Sequence, residues 1–465
     1  MELFERILNG VNDVLWSYIV VVLLLGCALL FTLRTRFVQF RTVREMVRLL
    51  LRPAKGERGD ATHISSFQAF VVALASRVGT GNLAGVATAI SVGGPGAVFW
   101  MWITALLGSA TAFIESTLAQ LYKRKGKDSF IGGPAYYMKY GLGKGWMGVI
   151  FSVLMVATFG LAHNSVQSNT VCAAWDKAFG FSPLYMGIIL TVLTLLIVFG
   201  GIHRVARVSQ AIVPVMAVGY LLVALGIVVA HIDLLPRTLL IIVEDAFGFR
   251  QAMGGALGIT IIQGIKRGLF SNEAGEGSAP NAAATATVSH PVKQGLVQAL
   301  GVFTDTLVVC SCTAFTILLS GVDYHAADGV QLTQEALVSQ IGSIGAPFVA
   351  IMIWLFAFST IIGNYYYGET NIRYITRSRA VLLGYRIAVG CMVVIGATIT
   401  LDTAWALADL TMGLLTISNL VAVVPLSRQA VFLLSDYLKQ RREGRDPVFH
   451  KESMPKIADR LEAWD

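Results

Sequence analysis

Apolar runs long enough to cross a lipid bilayer recur along almost all of this 465-residue chain, and no other feature restricts its fold as strongly. The hydrocarbon core of a membrane is about 30 Å thick, which about 20 helical residues span. Inside it an unpaired backbone N–H or C=O is costly, so the chain must satisfy its own peptide groups. A large soluble α/β enzyme holds one or two such runs, not about ten. Here 55% of the residues are hydrophobic and only 14% charged, and the mean hydropathy is +0.67. The reading is an all-α membrane protein.

Eleven spans are predicted, with cores near 15–33, 67–92, 98–121, 147–171, 184–199, 211–230, 253–283, 296–319, 346–367, 387–399 and 407–424. The first run is too long for a signal peptide, and its basic flank follows it. That flank carries Arg34, Arg36, Arg41, Arg44, Arg48, Arg52, Lys55 and Arg58, and the positive-inside rule makes it cytoplasmic. Part of it, 41–52, has apolar residues at helical spacing and is expected to lie on the inner membrane surface. The later loops then alternate. Inside fall Lys123 to Lys144, Arg204 with Arg207, Arg373 to Arg386, and a tail with Arg428, Lys439, Arg441 and Arg442. Outside fall the acidic loop of Asp323, Asp328 and Glu335 and the turn at Asp402. The N-terminus is therefore expected outside and the C-terminus in the cytoplasm.

Two of the predicted spans are broken by glycine and resemble each other. The first contains Ser76-Arg77-Val78-Gly79-Thr80-Gly81-Asn82-Leu83-Ala84-Gly85, the second Lys266-Arg267-Gly268-Leu269-Phe270-Ser271-Asn272-Glu273-Ala274-Gly275. A shift of 190 residues superposes Arg77 on Arg267, Asn82 on Asn272 and Gly85 on Gly275, and further on sets Glu115 against Asp305. The broken spans are second and seventh, five apart, so equivalent helices enter from opposite sides. This implies two five-helix repeats of inverted topology behind one extra N-terminal helix. The expected division is 1–65, 66–231, 232–426 and a tail at 427–465.

A broken helix leaves free N–H groups on one half and free carbonyls on the other. The N–H end suits a carboxylate, and the carbonyl end suits a cation such as Na⁺. Glycines also let helices pack closely, but these two stretches gather polar side chains with glycine at mid-membrane depth. Arg77, Glu115, Lys266, Arg267, Glu273, Asp305 and Glu369 are charged positions within spans, and each is either functional or structurally paired.

Other classes fit poorly. The net charge of +8 sits in alternate loops rather than on one face, which argues against nucleic acid. The seven histidines and five cysteines show no metal-ligand or nucleophile–base spacing, so no enzyme is expected and the cysteines read as packing residues. No phosphate-binding loop appears, and a channel has no use for paired breaks.

At these motifs the chain resembles the alanine or glycine:cation symporter family, within the amino acid–polyamine–organocation superfamily. The likeness extends through Gly93-Gly94-Pro95-Gly96-Ala97-Val98-Phe99-Trp100-Met101-Trp102, Gly132-Gly133-Pro134-Ala135-Tyr136-Tyr137-Met138 and Gly277-Ser278-Ala279-Pro280-Asn281. It implies a LeuT-type five-plus-five fold in a bacterial or archaeal inner membrane. It also implies uptake of alanine or glycine coupled to Na⁺, with H⁺ coupling or glutamine as alternatives, no organic cofactor, and the amino acid, Na⁺ and the lipid bilayer as partners of a chain that is either a monomer or an oligomer. By the same resemblance Thr80, Gly81 and Asn82 receive the substrate carboxylate, and Phe270, Ser271 and Asn272 face its amino group and side chain. Gln167 contacts substrate or bonds a neighbouring helix. Ser359 and Thr360 ligate Na⁺ with the carbonyls of Ala75 and Val78, or bond back to their own helix. Glu276 departs from the pattern, where methionine or another apolar residue is expected.

Overall fold

The computed structural model describes residues 2–51, 64–126, 129–248 and 254–465. Regular structure there is helical, apart from a two-stranded ribbon of β1 (Arg124–Lys125) and β2 (Phe130–Ile131) and a single bridge between Ile64 and Ala286. In chain order the main helices are α1 (Glu5–Arg34), α2 (Val43–Leu51), the bent pair α3 (Ser66–Arg77) and α4 (Gly81–Gly93), α5 (Gly96–Leu121), α6 (Gly145–Phe179), α7 (Pro183–Val198) and α8 (His203–Ala230). They continue as α9 (Leu235–Ala246), α10 (Gly254–Asn272), α11 (Ala279–Ala283), α12 (Pro291–Leu318), α13 (Gly329–Ile341), α14 (Gly345–Ile375), α15 (Arg379–Gly396) and α16 (Leu401–Arg442).

Among the described residues eight helical stretches are long and apolar enough to cross a membrane, and nine if α3 and α4, bent by 49°, count as one span. The expected span at 184–199 corresponds to α7, only 16 residues long. The expected span at 253–283 is divided between α10 and α11, and Met253 lies outside the described residues. So do Arg52, Lys55, Arg58 and Lys127 of the basic loops and His63. The connections hold more structure than their polarity suggested. The acidic loop contains α13, and α9 fills the connection after α8.

Local chemistry explains the ends. Ser65 opens α3 with a capping box, its hydroxyl accepting from the Gln68 N–H while the Gln68 carboxamide accepts from the Ser65 N–H. The helix ends where Val78 turns extended, at φ −79° and ψ 91°. The interior is packed by pairs from both halves of the chain: α5 against α10 and α12, α6 against α14, and α7 against α15. One continuous apolar core joins Trp16, Phe113, Tyr137, Phe270, Tyr365 and Trp405. The outward face of α8 instead presents Val215, Val218, Leu222, Leu225 and Val229, as expected for helix in contact with lipid. The segment expected on the membrane surface becomes α2. Its Met46 is fully buried, and its Glu45 accepts from Tyr437 at 2.7 Å and pairs with Arg441 at 3.2 Å, so it docks on α16.

Candidate functional site

The two breaks meet. A Cβ on Gly81 would lie 3.1 Å from the Ser271 Cα and 3.0 Å from the Phe270 ring, so only glycine lets α4 approach α10 this closely. Asn82 crosses the junction, its amide donating to Ser271 Oγ at 3.1 Å and to Asp305 Oδ1 at 2.7 Å. Ser271 donates in turn to Asp305 Oδ2 at 2.6 Å. Asp305 on α12 therefore ties the first break to the second.

At the first break, two backbone donors released by the interruption point at oxygen. The Gly79 N–H donates to Asn82 Oδ1 at 2.8 Å, and the Thr80 N–H donates to Gln167 Oε1 at 3.1 Å. Those side-chain oxygens occupy positions that carboxylate oxygens would fill at a helix N-terminus. The Thr80 hydroxyl is buried without a partner among the described residues. On the opposite side, the Thr360 hydroxyl of α14 donates to the carbonyls of Ala75 at 2.9 Å and Val78 at 3.3 Å. Three neutral oxygens thus converge on a hydroxyl proton, a donor set suited to a hard cation. Ser359 does not join them here. Its hydroxyl donates to the Phe356 carbonyl at 2.9 Å, one turn back on its own helix.

The second break spans 273–278. Glu273 sits at φ +57°, Gly275 at +106° and Gly277 at +77°, a left-handed path that α-helix cannot follow. Glu273 accepts from Ser76 on α3 at 2.7 Å and from Ser278. Gly275 is held at both ends, its N–H by Glu115 at 3.3 Å and its carbonyl by Asn419 at 2.9 Å. Glu115 and Asp305, equivalent in the 190-residue register, thus do comparable work: each sits on the helix after its own break and holds the other one. Asn272 caps locally, its Oδ1 accepting from the Ala274 N–H at 3.0 Å while Nδ2 is buried without a partner. Phe270 stands edge-on to Trp405 with centroids 4.7 Å apart and lies 4.5 Å from the His163 ring. Thr80, Asn82, Ser271 and Asn272 are all sealed from solvent.

The charged positions divide. Glu369 pairs with Arg373 at 2.6 Å and Arg386 at 3.7 Å, away from the breaks. Lys266 and Arg267 share Asp409, at 3.4 and 2.8 Å, and the Arg267 guanidinium stacks on Trp405 at 3.9 Å. Arg77 donates to the Gln298 carbonyl at 3.1 Å, and no carboxylate among the described residues lies within ion-pair distance of it. Sequence reasoning passed over Asp409, Trp405 and Asn419, and gave His163 and Asn364 no role in the site. Asp409 alone carried a usable signal, a lone acid inside the eleventh predicted span. Asn364, whose Oδ1 lies 2.7 Å from the Ser76 hydroxyl oxygen and whose amide donates to Asn164 at 3.1 Å, joins the site only through packing.

The pattern of the sodium:alanine symporter family matches residues 1–451. The chain is 51% identical to the probable sodium/glutamine symporter GlnT of Bacillus subtilis, over 100% of this chain and 96% of that protein. It is 50% identical to the amino-acid carrier protein AlsT of the same organism, over 99% and 98%. It is 38% identical to the sodium/alanine symporter AgcS of Methanococcus maripaludis, over 91% and 95%. Among solved structures, MhsT in complex with L-phenylalanine superposes with a TM-score of 0.53 at 14% identity, covering 81% of this chain and 99% of that one. At that identity the likeness establishes a LeuT-like fold.

Proposed function

The chain belongs to the sodium:alanine symporter family, a family of membrane transporters and not of enzymes, and from that premise we propose that it carries a small neutral amino acid, alanine or glycine, together with Na⁺ by alternating access. The observation that carries this reading is the adjacency at the first break. The oxygens of Ala75, Val78 and Thr360 converge next to the Gly79 and Thr80 N–H groups, which are capped by side-chain oxygen.

On this reading Na⁺ sits between the two carbonyls and the Thr360 oxygen, and the Thr360 hydroxyl keeps its proton and turns it away from them. Ser359 completes the shell by turning its hydroxyl away from the Phe356 carbonyl. The substrate carboxylate binds at the Thr80-Gly81-Asn82 turn, displacing Asn82 Oδ1 from the Gly79 N–H and Gln167 Oε1 from the Thr80 N–H. The ammonium group faces the polar groups of Ser271 and Asn272 and the backbone carbonyls around them, and Phe270 walls the side-chain pocket. Binding the ion shapes the break that binds the anion, so each favours the other.

The finer architecture belongs to the same proposal. It comprises eleven spans, a leading helix with its basic loop in 1–65, inverted five-helix repeats in 66–231 and 232–426, and a cytoplasmic tail in a cell inner membrane with the N-terminus outside. A second substrate reading, glutamine, is favoured by the 51% identity to a protein named a sodium/glutamine symporter.

Uptake of labelled alanine, glycine and glutamine into proteoliposomes, with Na⁺ replaced by choline at fixed pH, tests the reading. Uptake is expected to collapse in choline, and undiminished uptake there would overturn Na⁺ coupling. Mutual competition ranks the three substrates.

A further inference from the structure

Charge inside a membrane protein persists only where it is matched or hydrogen-bonded. Glu115, Glu273, Glu276, Asp305 and Asp409 are all buried around the two breaks, together with the cations Arg77, Lys266 and Arg267. Lys266 and Arg267 are both committed to Asp409. Among the described residues around the breaks, Arg77 is then the cation left to face the other four acids, without an ion pair to any of them.

Three of those four are well supplied with donors. Glu115 accepts from Gly275 and Asn419, Glu273 from Ser76 and Ser278, and Asp305 from Asn82, Ser271 and Thr306. Glu276 differs. It is fully buried, and among the described residues neither of its carboxyl oxygens has a hydrogen-bond partner. The charged groups facing it are Glu273 in its own break, Glu115 on α5 and Arg77 on α3, and Tyr137 reaches the same cluster through Asn419. An ionised carboxylate here would forgo every hydrogen bond it has in water and stand beside two further acids. A proton removes that charge without requiring any new partner.

The position is also placed to release the proton. Glu276 lies between Gly275 and Gly277, both at positive φ, and its N–H donates to the Glu273 carbonyl at 3.3 Å. Glu273 in turn holds Ser76, the residue after Ala75. Rearrangement of either break therefore changes what surrounds Glu276.

We propose that Glu276 is a proton-carrying site of this transporter, separate from the oxygens of Ala75, Val78 and Thr360. Water on the loading side supplies H⁺ to the carboxylate, forming one O–H bond. That bond breaks again when the second break opens to water on the other side, and no electrons change hands. The proposal rests on the alternating-access reading above.

The test uses the full chain in proteoliposomes with a trapped pH indicator, an imposed Na⁺ gradient and a clamped membrane potential. Alanine and glutamine are added in separate arms. The wild type is expected to acidify the lumen as substrate enters, whereas E276Q and E276M keep Na⁺-dependent uptake but show only the proton leak of empty liposomes. A wild type whose uptake moves no proton, or a proton flux that survives both substitutions, overturns the proposal. Should both variants lose uptake through misfolding, carboxyl labelling of the wild type decides. Dicyclohexylcarbodiimide, an apolar reagent that adds to protonated carboxyls, is expected to modify Glu276 at a rate that falls as pH rises, mapped by peptide mass spectrometry. Adducts on Glu115 or Glu273 with none on Glu276 would overturn it. Failure of the Na⁺ reading looks different: uptake would ignore Na⁺, while a substrate-gated proton flux lost in E276Q would still support this site.

Discussion

Thr360 and Ser359 are neighbours on α14, yet their hydroxyls face different groups. Thr360 reaches across to the carbonyl end of α3, and Ser359 bonds its own helix. Removing the Thr360 hydroxyl takes away one oxygen of the convergent set. A lost contact to a charged group at a buried site is worth about 1–3 kcal/mol, so T360V should weaken apparent Na⁺ affinity about five- to 150-fold. T360S should recover most of it. S359A should weaken it less, because Ser359 must first surrender its bond to Phe356. Titrating uptake against Na⁺ reads all three. An unchanged Na⁺ midpoint in T360V would sink the cation assignment.

At the scale of elements, the second half of the breaks is anchored from α16. Asp409 is shared by Lys266 and Arg267 at the centre of α10, with side chains only 10%, 4% and 6% exposed for Lys266, Arg267 and Asp409. Removing one partner of a buried charge set leaves the others uncompensated and costs about 3–5 kcal/mol. D409N should therefore lower thermal stability sharply, measured by fluorescence-detected size exclusion after heating. D409E should be much milder. Equal stability of D409N and wild type would show that Lys266 and Arg267 find other partners. The two breaks themselves were legible from glycine and polar clustering, because an interrupted helix in an apolar chain needs both. The 190-residue register also placed Glu115 and Asp305 in matching positions. That each would hold the opposite break was not legible, since a register says nothing about which helices become neighbours.

Across the whole molecule, the C-terminal segment folds back over the end of α5. The Trp464 indole donates to the carbonyls of Gln120 at 3.1 Å and Leu121 at 3.2 Å, and Arg124 pairs with Glu462 at 3.0 Å. The Phe449 N–H donates to the Ser289 carbonyl at 2.9 Å, so the same segment touches both halves of the chain. Lys123, just beyond α5, is enclosed here. Its ammonium donates to the Ala286 carbonyl at 3.1 Å and lies 4.0 Å from the Phe130 ring centre and 4.6 Å from that of Trp464. Burial pushes this amine down to about 7 from its ordinary 10.5. Between those values the unfolded chain binds a proton that the folded one does not, so stability should rise with pH across that window. Thermal unfolding in detergent from pH 7 to 10 should show the rise, and K123M should flatten it. A wild-type profile parallel to that of K123M would refute the assignment.

The sequence by itself determined that this chain is helical and crosses a membrane repeatedly, because hydrocarbon tolerates no unpaired backbone and the apolar runs leave few alternatives. It also marked where two helices break, and the motifs around Gly79-Thr80-Gly81-Asn82 and Phe270-Ser271-Asn272-Glu273 were enough to indicate the family. Tertiary structure alone decided which side chains meet at those breaks. It turned Thr360 inward and Ser359 back, set Asp305 across the junction, gave Lys266 and Arg267 to Asp409, and left Glu276 buried with nothing to bond. Those outcomes depend on contacts between residues up to a few hundred positions apart, whose rotamers are fixed by packing and by competition for a limited set of partners. Local pattern carries no record of that competition.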